Sequence, residues 1–336
     1  IAKNILNLGY QGEVFLVNSK YKELLGRKCY ADVKEIGKKI DLVIVAIPSK
    51  FVNDVVEQSS KASKNFVIIS SGFSETGKEG RKKESELKEI AQSKELNILG
   101  PNCLGFIHPK LRLNASFAGG MPTEGNVAFV SQSGALAVAI MDIARQEHIG
   151  FSQVVSVGNK MQIDEASLLE YLDKDPETKV IALYLEGIAR GKEFLEVAQK
   201  ISKPVVVLKA GKTEKSQKAI ASHTGALAGS ELVMNAVFAK AGIIQAETLE
   251  EFFNILNVCS KSDPPSSNQA VIITNAGGPG VLTTDAFENK SLQLSSIPQE
   301  KKNKLRQFLP AESSVENPID LLGDARDDRY KKTLGI

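Results

Sequence analysis

Short β-branched runs alternate with amphipathic stretches along the chain, and this alternation restricts it to α/β folds in which helices cover both faces of a parallel sheet. In the first stretch, strands are expected at Glu13–Val17, Asp41–Ala46, Phe66–Ser70 and Asn97–Leu99, with helices at Phe51–Ala62 and Arg81–Ser93 between them. A second series follows the Gly- and Pro-containing segment 118–126. Its strands are expected at Val127–Val130, Val154–Val157, Val180–Leu185 and Pro204–Lys209, and its helices at Gly134–Glu147, Glu165–Leu172 and Glu193–Ile201. A helix over Thr248–Cys259, opened by Thr248 and Glu251 as a capping box, leads into Lys261–Gln269, whose Pro and Ser content reads as a linker. A third unit opens with a strand over Ala270–Thr274 and a helix after Pro279. The pattern predicts domains at 1–118, 119–260 and 270–336, joined across 261–269, the last of them incomplete.

The 336 residues carry 42 Lys+Arg against 40 Asp+Glu, a net +2 that offers no footprint for nucleic acid or an anionic membrane surface. No run approaches the ~18 apolar residues needed to span a bilayer. Three cysteines, Cys29, Cys103 and Cys259, lack the paired spacing of a disulfide framework or a thiolate metal site, so the cytoplasm is the expected compartment and no metal is expected on this chain. Ile1–Leu8 already has helical apolar spacing before Gly9, and the chain stops at Leu334-Gly335-Ile336 without a cap. A piece cut at both ends is expected, with a strand and its loop upstream.

Two strands run through small residues directly into a helix: Val130-Ser131-Gln132-Ser133-Gly134 and Thr274-Asn275-Ala276-Gly277-Gly278. Such turns offer free amides and the positive end of a helix dipole to an anion, or they are ordinary short βα turns. Gly72–Lys78 has the spacing of a nucleotide P-loop, but Glu79 stands where a hydroxyl should bind magnesium, so that reading is rejected. The same loop, through Ser70, Ser71 and Gly72, lies where open α/β sheets bind ligands. Of the three histidines, His108 and His148 read as structural. His223, in Ser222-His223-Thr224-Gly225-Ala226, has small neighbours that leave its imidazole accessible as a nucleophile, or it is a solvated side chain. Glu186, at the carboxyl end of an apolar strand, is placed either to accept the Nδ1–H of an imidazole or to cap a helix. Lys160 and Asp164 line the same crevice or serve as caps.

Gly100-Pro101-Asn102-Cys103-Leu104-Gly105, Ser131-Gln132-Ser133-Gly134, Leu185-Glu186-Gly187, Ser222–Ala226 and Asn275–Gly278 together resemble the nucleoside-diphosphate-forming acyl-CoA synthetases. The likeness is strongest to the alpha subunits of ADP-forming acetate–CoA ligases, with the succinate–CoA ligase alpha subunit similar over the first two domains. The resemblance implies a Rossmann-like CoA-binding domain followed by flavodoxin-like ligase domains. It implies that His223 becomes phosphorylated, that Glu186 orients it, and that Ser131, Ser133 and Gly134 hold the phosphate. For CoA it implies Asn18, Lys20, Ile47, Pro48, Ser70, Ser71, Gly72 and Asn102, with the glycine-rich pyrophosphate loop preceding Ile1. A proline common in the family is Ser19 here. ATP or ADP with Mg2+ would bind an ATP-grasp beta subunit or fused segment, in an alpha2beta2 assembly acting on a small carboxylic acid and phosphate. A loop with Gly211, Gly225 and Gly229 would suit a histidine that carries a phosphoryl group between sites. Two alternatives are a CoA-binding sensor region of a protein lysine acetyltransferase, which tends to lack the histidine, and a nicotinamide-binding Rossmann protein, which leaves Ser222–Ala226 unexplained.

Overall fold

A computed structural model of the chain describes residues 1–213, 215–217, 231–263, 265–288 and 292–336. It divides into two compact units, Ile1–Ser262 and Asp263–Ile336.

The amino-terminal part of the first unit holds two small sheets. Strands β1 (Leu16–Val17), β2 (Glu23–Leu24) and β3 (Arg27–Tyr30) form one of them, in the order β1-β3-β2. The expected strand at Glu13–Val17 is therefore short and does not head the main parallel series. Its parallel partner is β3, which returns from β2 through a two-residue turn in which Leu25 and Gly26 both take positive φ (56° and 69°), the backbone a tight hairpin requires. Strands β4 (Val43–Val45), β5 (Asn65–Ile68) and β6 (Asn97–Leu99) are parallel neighbours. They pack with the helices Val52–Ser59 and Lys78–Ser93 around Val45, Val56, Phe66, Ile68, Leu87 and Ile98. Val52, Val56 and Ser59 are buried at i, i+4 and i+7, the spacing of one helix face.

The larger of the unit's two main sheets, its second, has seven strands: β7 (Gly105–His108), β8 (Leu113–Ser116), β9 (Glu124–Ser131), β10 (Phe151–Ser156), β11 (Val180–Leu185), β12 (Val205–Lys209) and β13 (Ile244–Ala246). Their spatial order is β13-β12-β11-β9-β10-β7-β8. The five strands β9 to β13 are parallel, in the doubly wound order that reverses between β9 and β11. The hairpin β7–β8, which the sequence reading places with the first domain, adds antiparallel to the edge of this second sheet. It does so because Ile107 pairs with Val154 and is buried with the second sheet's core.

Alternation along β9 shows how the sheet is filled on both faces. Ala128 and Val130 face the helices Glu165–Lys174 and Gly191–Ala198, whereas Val127 and Phe129 face Gly134–Gln146 and Leu249–Lys261. Helix bounds otherwise follow local chemistry. Thr248 accepts from the Glu251 amide, and the Glu251 carboxylate reaches back to the Glu247 amide.

In the second unit, the expected strand Ala270–Thr274 is two short strands with different partners, Gln269–Ala270 against Gln293–Leu294 and Ile273–Thr274 against Ile319–Asp320. The Asn317 side chain occupies the break: its Oδ1 accepts from the Ile272 amide, and its Nδ2 donates to the carbonyls of Ala270 and Ser295. The next helix, Gly277–Glu288, begins before Pro279, which is tolerated in a first turn because that amide has no helical acceptor. Leu305, Leu309, Ile319 and Leu321 form the core of this unit.

Phe129 is fully buried, with ring centroids 6.4 Å from Phe151 and 6.3 Å from Phe252. Phe129→Ala is therefore expected to cost about 3–5 kcal/mol, read as a fall in denaturation midpoint at unchanged slope. A loss below about 1 kcal/mol would contradict the packing described.

Candidate active site

The strand order places a crevice at the carboxyl ends of β9 and β11, where the chain reverses direction across the sheet. Ser131 lies opposite Tyr184 in that register, so the turn after β9 and the turn after β11 emerge side by side. The first turn is shaped by hydroxyls. Ser131 Oγ donates to the Ser133 carbonyl (2.7 Å) and accepts from the Ser133 amide (3.1 Å). Ser133 then caps the helix Gly134–Gln146 by accepting from the Leu136 amide. The Gly134 and Ala135 amides have no intrahelical acceptor, so this end of the helix presents donors and positive potential.

Glu186 follows β11 directly and is half-buried. Its amide and that of Gly187 donate to Gln132 Oε1 (2.7 and 3.1 Å), and Gln132 Nε2 donates to the Gly187 carbonyl (2.8 Å). Lys160 Nζ reaches the same carbonyl at 2.7 Å, and Lys209 Nζ reaches the Glu186 carbonyl at 2.9 Å. Lys160 also pairs with the buried carboxylate of Glu165 at 3.2 Å. Burial pushes the Glu165 carboxyl up, against the opposing charge of Lys160. Burial likewise pushes Lys209 down, and the Glu186 carboxylate works against that shift. Asp164 resolves the other way from Lys160. It caps the helix Glu165–Lys174 through Ser167 and pairs with Arg190, with its carboxyl held low by these bonds despite burial.

The residues named for CoA fall into two groups. Ser70 Oγ exchanges hydrogen bonds with the Ile47 carbonyl (2.5 Å) and amide (3.1 Å), and the Asn102 amide donates to the Ser70 carbonyl (3.0 Å). Ile47, Pro48, Ser70–Gly72 and Asn102 are thus gathered at the carboxyl ends of β4, β5 and β6, with Pro48 and Ser71 exposed. Asn18 and Lys20 follow β1, and their hydrogen bonds run to Tyr30 and to each other. The rejected P-loop has a physical explanation here. Glu75 Oε1 already accepts from the Gly72 and Phe73 amides. Burial opposes that charge, but the Asn159 side-chain Nδ2 and these backbone bonds hold the carboxyl low.

The two crevices are joined. Asn102 Nδ2 donates to Asn159 Oδ1, and Asn159 Nδ2 donates to Glu75 (2.7 Å) and Glu84 (2.8 Å). A Cβ added to Gly158 would lie 2.2 Å from the Pro101 carbonyl oxygen, so only glycine permits that approach. A Cβ added to Gly134 would lie 3.2 Å from Leu104 Cβ, which sets the capped helix against the Gly100–Gly105 segment. His223, with its neighbours Ser222–Ala226, lies outside the described residues. His108 is on β7 with Nδ1 buried and no hydrogen-bond partner among the described residues, and His148 takes a positive φ (54°) just beyond the helix Gly134–Gln146. No group of three or more His, Cys, Asp or Glu able to hold a metal occurs among the described residues. No described helix is long and apolar enough to cross a membrane.

Three protein families match the chain in order: a CoA binding domain over residues 1–109, a succinyl-CoA ligase like flavodoxin domain over 124–259, and a Ligase-CoA domain over 270–336. The alpha subunit of acetate–CoA ligase [ADP-forming] II from Pyrococcus furiosus is 44% identical over 331 residues, covering 97% of this chain and 72% of that protein. The chain belongs to the ADP-forming acetate–CoA ligase alpha-subunit family. Acetate–CoA ligase [ADP-forming] I of Archaeoglobus fulgidus is 43% identical over 339 residues, which is 100% of this chain and 49% of that one, so the chain spans about half of that relative. Within the same family, the solved structure of Ca. Korarchaeum cryptofilum dinucleotide forming acetyl-coenzyme A synthetase 1, in complex with phosphate and ADP, superposes with a TM-score of 0.92 at 41% identity. It covers 99% of this chain and 72% of that chain.

In this member of the ligase family, Cys103 is 3% exposed with Sγ 3.3 Å from the Ile68 carbonyl oxygen, and burial pushes its thiol up to about 12. Iodoacetamide at pH ~8.5 is expected to leave Cys103 unmodified in the native protein and to label it after unfolding. Labelling of native Cys103 at the rate of a free thiol would contradict this placement.

Proposed function

We propose that the chain is the CoA-handling, phosphohistidine-bearing part of an acid–CoA ligase that interconverts acyl-CoA + ADP + phosphate with carboxylic acid + CoA + ATP. The observation that carries this reading is one arrangement: the Ser133-capped helix rests on Leu104 of the CoA-side segment and is tied through Gln132 to the turn bearing Glu186.

In the acid-forming direction, a phosphate oxygen attacks the thioester carbonyl carbon, the C–S bond breaks, and CoA leaves as its thiol with the proton that phosphate gives up. The amides at the start of Gly134–Gln146 hold the phosphate through this step, with the positive end of the helix dipole behind them. The His223 imidazole then attacks phosphorus through Nε2, the bond from phosphorus to the acyl oxygen breaks, and the carboxylate departs. The Glu186 carboxylate accepts the ring's Nδ1–H, fixes the tautomer and stabilises the positive ring that forms. The phosphoryl group finally passes to ADP, held with Mg2+ on an ATP-grasp beta subunit or fused segment.

The mixed lining of Ile47, Pro48, Ser70 and Ser71 suits an amphipathic chain such as that of CoA, and Gly72, at φ 103°, lets the loop pack its backbone closely against Ser49. The alpha-subunit name of the Pyrococcus relative, and the doubled length of the Archaeoglobus one, support a nucleotide-binding counterpart in an alpha2beta2 or fused assembly. Acetate, the acid in those names, is the small carboxylic acid assigned here. Three thiols without disulfide partners suit a cytoplasmic setting.

Incubation with labelled ATP, Mg2+ and the nucleotide-binding counterpart is expected to leave acid-labile, base-stable phosphate on the chain, and His223→Asn to abolish it. Label that persists in His223→Asn would refute the assignment, and a chain that binds CoA without ever accepting label would favour a sensor. Glu186→Gln keeps the shape and removes the charge, so the phosphoryl step is expected to slow by ~10²-fold or more. Unchanged turnover at saturating substrates would make that carboxylate structural.

A further inference from the structure

Gln132 sits inside the hydroxyl turn between Ser131 and Ser133, yet its carboxamide does not face that turn. It crosses to the neighbouring strand end. Its own amide donates to the Tyr184 carbonyl at 3.2 Å, which continues the β9–β11 pairing by one residue and aims the side chain at Glu186-Gly187. There Oε1 takes both amides of the turn, and Nε2 gives its hydrogen to the Gly187 carbonyl.

The chemistry admits few substitutes. One end of the side chain must accept twice while the other donates. A glutamate would set an oxygen against the Gly187 carbonyl, an arginine could accept nothing, and an asparagine is one methylene shorter. The remaining polar atoms of the turn are also engaged. Lys209 holds the Glu186 carbonyl, and Lys160, itself held by Glu165, shares the Gly187 carbonyl with Gln132. All four backbone polar atoms of Glu186 and Gly187 are therefore bound by side chains. Both peptide planes of the turn are fixed, and the direction in which the Glu186 side chain leaves the backbone is fixed with them.

We infer that Gln132 is a positioning residue for the Glu186 carboxylate, coupling the turn that holds phosphate to the turn that orients the phosphorylated imidazole so that the two keep one spacing. The inference rests on the role proposed above for Glu186, and it adds why the motif carries a glutamine between its two serines. Neither amide of the Glu186–Gly187 turn remains for phosphate, so the donors at the start of Gly134–Gln146 carry that load. A misplacement of about 1 Å between such groups is enough to slow a transfer substantially.

The test is a double-mutant cycle in the complete ligase, with the nucleotide-binding counterpart present, measuring the single-turnover rate of chain phosphorylation and the KM for CoA. Gln132→Met, which keeps length and loses all three hydrogen bonds, is expected to slow phosphorylation by roughly 10- to 100-fold with the KM for CoA unchanged. Combined with Glu186→Gln it is expected to add little, because a misaimed carboxylate and a neutralised one fail at the same step. Equal slowing by Gln132→Met in the wild-type and Glu186→Gln backgrounds would overturn the inference, since damage to the general fold acts alike in both. No slowing by Glu186→Gln alone would overturn the underlying role of Glu186, a result distinct from additivity. Should Gln132→Met fail to fold, Gln132→Glu retains an acceptor for the two amides and loses the donor; it is expected to bind CoA normally and phosphorylate slowly, and wild-type phosphorylation in it would overturn the inference.

Discussion

The parallel pairing that sets Ser131 opposite Tyr184 governs everything built at the end of the second sheet. It puts two strand ends of unlike chemistry next to each other, a run of hydroxyls and amides after β9 and a carboxylate after β11. A shift by one residue would turn Val130 and Leu183, both buried in the core, toward the opposite face, so the hydrophobic effect that stabilises the sheet also sets the spacing of the site. The site's geometry is in this sense a by-product of core packing. Its precision comes from the carboxamide of Gln132, which converts proximity into a fixed relation.

Electrostatics at this crevice are a balance of desolvated charges. Lys160 and Lys209 are both drawn to backbone carbonyls beneath the Glu186–Gly187 turn, and burial weakens the hold of Lys209 on its proton. Lys209 is met in turn by the Glu186 carboxylate, which opposes that shift. The buried Glu165 offsets Lys160 and keeps that lysine from becoming an uncompensated charge. The loop carrying Asn159 and Lys160 thus serves both crevices, with Asn159 bonded toward Glu75 and Asn102 and Lys160 toward Gly187.

Much of this was legible in the sequence, for reasons that differ by residue. The second sheet's strands were visible because β-branched runs of four to six residues are what a strand buried on both faces requires. The turn Ser131–Gly134 was recognisable as a strand running through small residues into a helix, and Glu186 stood out as a charge ending an apolar run. Lys209 ends Val-Val-Val-Leu in the same way and carries the same signal. The pairing of Gly105–Ser116 with the second sheet was not legible, because strand pairing depends on a partner about 50 residues away and leaves no local mark. The break in Ala270–Thr274 depends on Asn317, 47 residues beyond Ala270. Gln132 lies within the Ser131–Gly134 motif, but a polar residue between two serines says nothing of the strand end it will reach.

One seat is expected to serve both phosphate and the imidazole. A structure of the complete ligase, trapped in its phosphorylated form, tests it most directly. The phosphoryl group is expected on His223 Nε2 within hydrogen-bond reach of the amides opening Gly134–Gln146, with the Glu186 carboxylate on Nδ1. A phosphorylated imidazole whose every observed position lies more than ~10 Å from that helix start would contradict it, since no phosphoryl group could pass between sites so far apart without meeting water.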